Sequence, residues 1–205
     1  MFSICAWCEE KSCEKENEEY PEWCMIPEKN WFEEIAPEYE KEENDLLFKT
    51  AAHVETTGYK KWPRLKEIAE FADRADYKTI GIAFCIGLKR EAKIAADYYK
   101  EKGFKVASAV CCCGSFDKAK LDIPPEDRFS ETGFEAACNP IGQAKFLEES
   151  GSEFNIVLGL CVGHDSLFFK YSSAPTTVLA VKDRVLAHNP LGAVYCRNSY
   201  YSDLD

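Results

Sequence analysis

Cysteine is the residue around which this sequence is arranged. Eleven of its 205 residues are cysteines, and most of them fall into two constellations. The first is Cys5, Cys8, Cys13 and Cys24, spaced C-x2-C-x4-C-x10-C. A C-x2-C pair presents two thiolates from one turn, and two more thiolates complete a four-ligand set. Four-thiolate zinc sites are commonly built from two C-x2-C knuckles, and this segment has only one. Three close cysteines with a more distant fourth are commoner around a four-iron, four-sulfur cluster. The spacing therefore points to an iron–sulfur cluster first and to zinc as the alternative. Residues 1–28 hold too few apolar residues for a core, so bound metal would supply the folding free energy. Trp7, Tyr20 and Trp23 are available to shield a cluster from water.

The second constellation is scattered along the chain. Cys85 ends the apolar run that starts at Thr79, Cys111, Cys112 and Cys113 end the run from Phe104, and Cys161 ends the run from Phe154. Cys138 stands just before an Asn-Pro pair in C-N-P-I-G-Q-A, and His188 occupies the same place in H-N-P-L-G-A-V. Asn caps a helix well and Pro fits its first turn, so both residues are expected at the positive end of a helix, which favours thiolate. His164 and Asp165 follow Cys161, and Lys182, Asp183 and Arg184 follow the run Thr176–Val181. This predicts a second metal site with Cys85, Cys111, Cys112, Cys138, Cys161 and His188 as candidate ligands. His164, Asp165, Lys182 and Arg184 are the candidate catalytic residues, delivering protons or binding an anionic substrate. In an extended chain Cys111 and Cys113 share one face, an inference that fails if the chain turns at Gly114. Cys196 reads as structural, and His53 and Glu55 as part of a helical insert.

Something must bring these distant residues together. The runs Thr79–Gly87, Phe104–Cys111, Phe154–Gly163 and Thr176–Val181 are short and apolar throughout, as strands are when helices cover both faces. Helices are expected between them: Lys89–Lys102 stopped by Gly103, a helix from Asn139-Pro140 stopped by Gly151, a short one capped at Asp165-Ser166, and a last one from Asn189-Pro190. Alternating strands and helices predict an α/β, Rossmann-like fold with a mainly parallel sheet. In such a sheet the strand C-termini share one edge, where α/β proteins place their sites. Before it lie the cysteine-rich module of residues 1–28 and a helical segment, 29–77, packed on the main domain of 78–205. Within that segment Pro37 is expected to start one helix and Pro63 another.

Composition narrows the function. With 46% apolar residues the chain can build a core without disulfides. It has neither a membrane-spanning apolar run nor a visible signal peptide, so a reducing cytoplasm is expected. Between Glu9 and Asp45 lie fifteen acids and four lysines, which account for the whole net charge of −11. That acidic front argues against nucleic acid and anionic membranes. It offers a docking face to a redox partner protein. No G-x-G-x-x-G or P-loop is present.

The stretches Ile82–Ala92, Cys138–Ala144, Gly159–Ser172 and Val181–Leu191, together with the N-terminal C-A-W-C, resemble the domain-of-unknown-function family DUF1847. The resemblance implies a cysteine-rich, metal-binding protein of anaerobic bacteria and archaea, with lysine in the place of Cys113. It implies no reaction. The expectation is an iron–sulfur protein with one or two four-iron clusters acting in redox or electron-transfer chemistry. The alternatives are a non-enzymatic zinc-binding or metal-delivery protein, or a thiol or sulfur-transfer protein.

Overall fold

A computed structural model describes residues 5–16, 19–24, 26 and 31–204. The expected boundary at 28/29 lies outside these residues. The chain divides into two compact units, Met1–His53 and Val54–Asp205.

In the first unit the cysteine-rich segment forms short turns. Cys5–Trp7 and Ser12–Glu14 are single 3-10 turns, and the buried Ser12 hydroxyl donates to the Glu19 carbonyl at 2.9 Å. Helix α1 (Trp31–Tyr39) follows, and α2 (Glu42–Gly58) begins in this unit. Pro37 does not start a helix, as expected from sequence, but lies inside α1. Its ring removes one N–H from the helical ladder, and the helix stops two residues later. Lys41 and the Asn44 side chain then bond back to Glu38 across the break.

The second unit holds the sheet. Pro63 precedes α3 (Arg64–Arg74), as expected. Then come β1 (Thr79–Phe84), α4 (Lys89–Glu101), β2 (Lys105–Val110), α5 (Pro140–Glu149), β3 (Phe154–Leu158), α6 (His164–Tyr171), β4 (Thr176–Ala180) and α7 (Leu191–Tyr195). The four strands are all parallel, in the order β2-β1-β3-β4. This is the expected α/β, Rossmann-like architecture.

Strand alternation sorts the core into two layers. Ile80, Ile82, Phe84, Phe154, Ile156 and Leu158 pack with Ile68, Ala69 and Ala72 of α3 and with Ala92, Ala95 and Tyr99 of α4. On the other face, Ala83, Ala109 and Val157 pack with Ala144 and Leu147 of α5 and Phe168 of α6. The small residues on this face let α5 lie close, and a Cβ at Gly81 would stand 2.5 Å from Ser152 Oγ and 3.0 Å from Leu147 Cδ1. One irregularity marks β4. Val157 pairs with Val178, but Leu158 pairs with Ala180, so Leu179 is an extra residue in that strand.

The start of α5 was legible. Asn139 caps α5, its side-chain oxygen accepting the Gly142 N–H at 2.8 Å. The expected cap at Asp165-Ser166 falls differently. Gly163, at φ +84, occupies the cap position of α6, and Asp165 lies inside the first turn. The Cys161 carbonyl accepts the N–H groups of both His164 and Asp165, satisfying donors that a capping side chain would otherwise take. Among the described residues, no helix is long and apolar enough to cross a membrane.

Candidate thiol and metal centre

Four cysteines meet at the C-terminal edge of the sheet. Cys85 follows β1, Cys111 follows β2 and Cys138 precedes α5, while Cys161 lies three residues beyond β3. Cys111 is at the centre. It is 5% exposed, and its side chain hydrogen-bonds with those of both Cys138 and Cys85. Its sulfur also accepts the Ile86 N–H at 3.3 Å. Cys85, Cys111 and Cys138 therefore form a chain of contacting thiols.

The proton on this chain is not shared evenly. The hydrogen bond to Cys138, with burial second, pushes the Cys111 thiol well above the ordinary range. The same bond lowers the Cys138 pKa, against the opposing effect of burial. Of the two, Cys138 ionises first, and Cys111 is the thiol that donates to it. Alkylation of metal-free protein should show this. Cys138 reactivity should persist to lower pH than an ordinary thiol's, falling away only as pH drops through its lowered pKa. Cys111→Ala removes the donor and should move that profile upward. An unchanged profile in the variant would contradict the assignment.

Cations complete the edge. The Arg184 guanidinium donates to Cys161 Sγ at 3.0 Å. Its own pKa is raised, first by that bond and then by the charge of Cys161, Cys85 and Cys138. Lys182 Nζ and Cys85 Sγ both border the space that Gly87 leaves open, 3.8 Å and 3.9 Å from where a Cβ would stand. Asp183 turns its Oδ1 to its own loop instead, accepting the N–H groups of Val185 and Leu186. The starts of α5 and α6, and the turn Ile86–Leu88 that leads into α4, lie at this same edge. Their N-terminal dipoles add to the positive field. The edge favours thiolates and any anionic species built on them.

The remaining predicted residues are placed as follows. Cys111–Gly114 form a turn, with the Cys113 N–H on the Val110 carbonyl at 3.1 Å and Gly114 at φ +85. The chain does turn at Gly114, so strand alternation does not sort these three cysteines. Cys112 is half-buried and close enough to act electrostatically on Cys138. Cys113 is drawn toward α5 instead, its thiol donating to the Asn139 carbonyl at 3.8 Å, and burial raises its pKa. His164 and Asp165 open α6 beside Cys161, and Asp165 accepts the Ser166 N–H. His188, at φ +64, turns its Nδ1 to the Asp183 N–H at 3.1 Å, within its own loop. Cys196 ends α7.

Sequence reading missed Gln143. It is fully buried on α5 and donates to the Phe84 carbonyl at 3.2 Å and the Ala109 carbonyl at 2.7 Å. It thus ties the ends of β1 and β2 together beneath Cys85 and Cys111. A single amide among the small and apolar residues of that helix was the signal available.

In the N-terminal unit, the Cys8 N–H donates to the Cys5 carbonyl at 3.1 Å, closing a 3-10 turn. Residues three apart eclipse in such a turn, so Cys5 and Cys8 rise on one side. The Cys24 N–H donates to the Pro21 carbonyl at 2.8 Å. Trp7 is 76% exposed, so it does not shield these thiols here. None of the eleven cysteines is joined in a disulfide.

As a donor set, four convergent thiols fit a soft metal or an iron–sulfur cluster. Among the described residues, no three Cys, His, Asp or Glu side chains are placed to hold one metal ion as they stand.

The family model described as "Protein of unknown function (DUF1847)" matches residues 24–179. The chain belongs to this family. The DUF1847 match takes in Cys24 and every strand-end cysteine, and stops before Lys182, Arg184 and His188. The chain is also similar to an uncharacterized protein of Methanocaldococcus jannaschii. The two are 50% identical over 169 residues, covering 82% of this chain and 84% of that protein.

Proposed function

We propose that this protein is an iron–sulfur redox protein of anaerobic metabolism in a reducing cytoplasm. One cluster would be carried by Cys5, Cys8, Cys13 and Cys24, and a second at the sheet edge by Cys85, Cys111, Cys138 and Cys161. The observation that carries this reading is the convergence of four thiols from four separate segments on one cation-flanked edge. A four-iron cluster takes one thiolate per iron and leaves its ligand set net negative, which Lys182, Arg184 and the helix starts offset. Such a cluster supplies one-electron transfer. The chain's own residues do the rest. Arg184 orients Cys161, Gln143 sets the strand ends, and Lys182 brings a positive charge beside Cys85. The acidic stretch from Glu9 to Asp45 offers a docking face for a basic redox partner.

A second reading, thiol or sulfur-transfer chemistry, is favoured by the hydrogen bond from Cys111 to Cys138. One preparation separates the readings. The protein is purified without oxygen, its visible absorbance recorded, and iron, zinc and acid-labile sulfide counted. The expected result is a brown protein with about eight irons, since each cluster holds four. A colourless protein with stoichiometric zinc would overturn this in favour of metal binding or delivery. A metal-free protein with one fast-alkylating thiol would overturn it in favour of thiol chemistry.

A further inference from the structure

Cys111 and Cys138 differ from the other strand-end thiols in that a backbone hydrogen bond joins their segments beside the side-chain one. Their side chains are hydrogen-bonded. Beside them, the Asn139 N–H donates to the Cys111 carbonyl at 2.6 Å. Cys138 is fixed in place by the capped, proline-started α5 that follows it. Cys161 is engaged elsewhere, by Arg184.

We propose that Cys111 and Cys138 form a reversible disulfide by exchange with a low-molecular-weight disulfide, and that this bond withdraws both sulfurs from metal binding. The second half rests on the metal-centre reading above, and the first half does not. Burial sets the order of events. Cys111 is 5% exposed and Cys138 only half-buried, so Cys138 meets the reagent first. Its sulfur attacks one sulfur of the reagent, forming a mixed disulfide and expelling one reagent thiolate. The Cys111 sulfur then attacks Cys138, expels the second reagent thiolate and gives up its proton to it. Two protein thiols are oxidised by two electrons, and the reagent disulfide is reduced to two thiols. The two sulfurs start within hydrogen-bonding reach, on segments that the Asn139–Cys111 backbone bond holds together, and close to the roughly 2.05 Å of an S–S bond.

Glutathione disulfide is the probe. Full-length chain, reduced without oxygen, is treated both as isolated and after removal of metal by a chelator, then alkylated and mapped by peptide. In the stripped protein, two of the eleven thiols should become unreactive, both in a Cys111–Cys138 link. Cys111→Ala should trap a lasting glutathione adduct on Cys138. Cys138→Ser should give neither the link nor an adduct on Cys111, with circular dichroism confirming that both variants fold. A Cys85–Cys111 link, or a lasting adduct on Cys138 in the unaltered chain, would overturn the pairing. As-isolated protein that forms the link and keeps all its metal would overturn the withdrawal. Protein that never held metal but forms the link would keep the pairing and sink the metal reading.

Discussion

Cys161→Ser should remove about half of the iron and sulfide from protein purified without oxygen, roughly four irons of eight. Cys8→Ser should remove the other half. The two effects should add, because the two cysteine sets lie in separate compact units. Cys161 is the informative choice at the sheet edge. It stands outside the Cys85–Cys111–Cys138 chain, so its loss leaves those hydrogen bonds intact and tests ligation rather than packing. Serine keeps the volume and offers a far poorer soft-metal donor. Iron counts that stay whole in Cys161→Ser would remove the sheet-edge cluster from consideration. Counts that fall to zero in either single variant would mean one shared site instead of two.

Gly159→Ala should be the costliest small substitution near the site, at about 2–5 kcal/mol. Gly159 sits at φ +66, and a Cβ there would run into Leu88 Cδ1. An alanine in the left-handed region costs roughly 1–2 kcal/mol. Forcing a methyl against the buried Leu88 adds about 1–3 kcal/mol. Gly103→Ala separates the two contributions. Gly103 has φ +97 with nothing within 4 Å of its Cβ position, so it carries backbone strain alone. Urea denaturation of the two variants should show Gly159→Ala as clearly worse. Equal midpoints would mean that Leu88 yields freely. The strain would also be felt two residues on, at Cys161, so Gly159→Ala should weaken metal loading more than Gly103→Ala does.

These two cases show what could and could not be read ahead of the structure. The central strands β1 and β3 were legible because buried parallel strands are apolar without interruption. The start of α5 was legible because Asn and Pro act through local geometry. Arrival of Cys85, Cys111 and Cys161 at one edge followed from parallel topology alone. The hydrogen-bonded order of the thiols was not legible, because it depends on how the turn at Cys111–Gly114 aims three consecutive sulfurs. Gln143 escaped for a similar reason: one amide on a helix does not reveal that two strand carbonyls lie beneath it. The helix break at Glu40 escaped because Pro37 was assigned to a start, while α1 had already begun at Trp31.

The extra residue in β4 has a consequence for the two cations. With Leu179 inserted, Lys182 comes level with Leu160, to whose carbonyl its N–H donates at 3.3 Å. Were the same residues paired regularly, without the bulge, Val181 would fall there, and Lys182 and Arg184 would overshoot the thiols by one position, roughly 3.3 Å along the strand direction. Inserting one residue between Ala180 and Lys182 would preserve every charge and every cysteine yet put the cations out of register with the sulfurs they face. In this protein the alignment of cation with thiol is set by the length of a strand, so an insertion or deletion there acts on the site as directly as a change of residue within it.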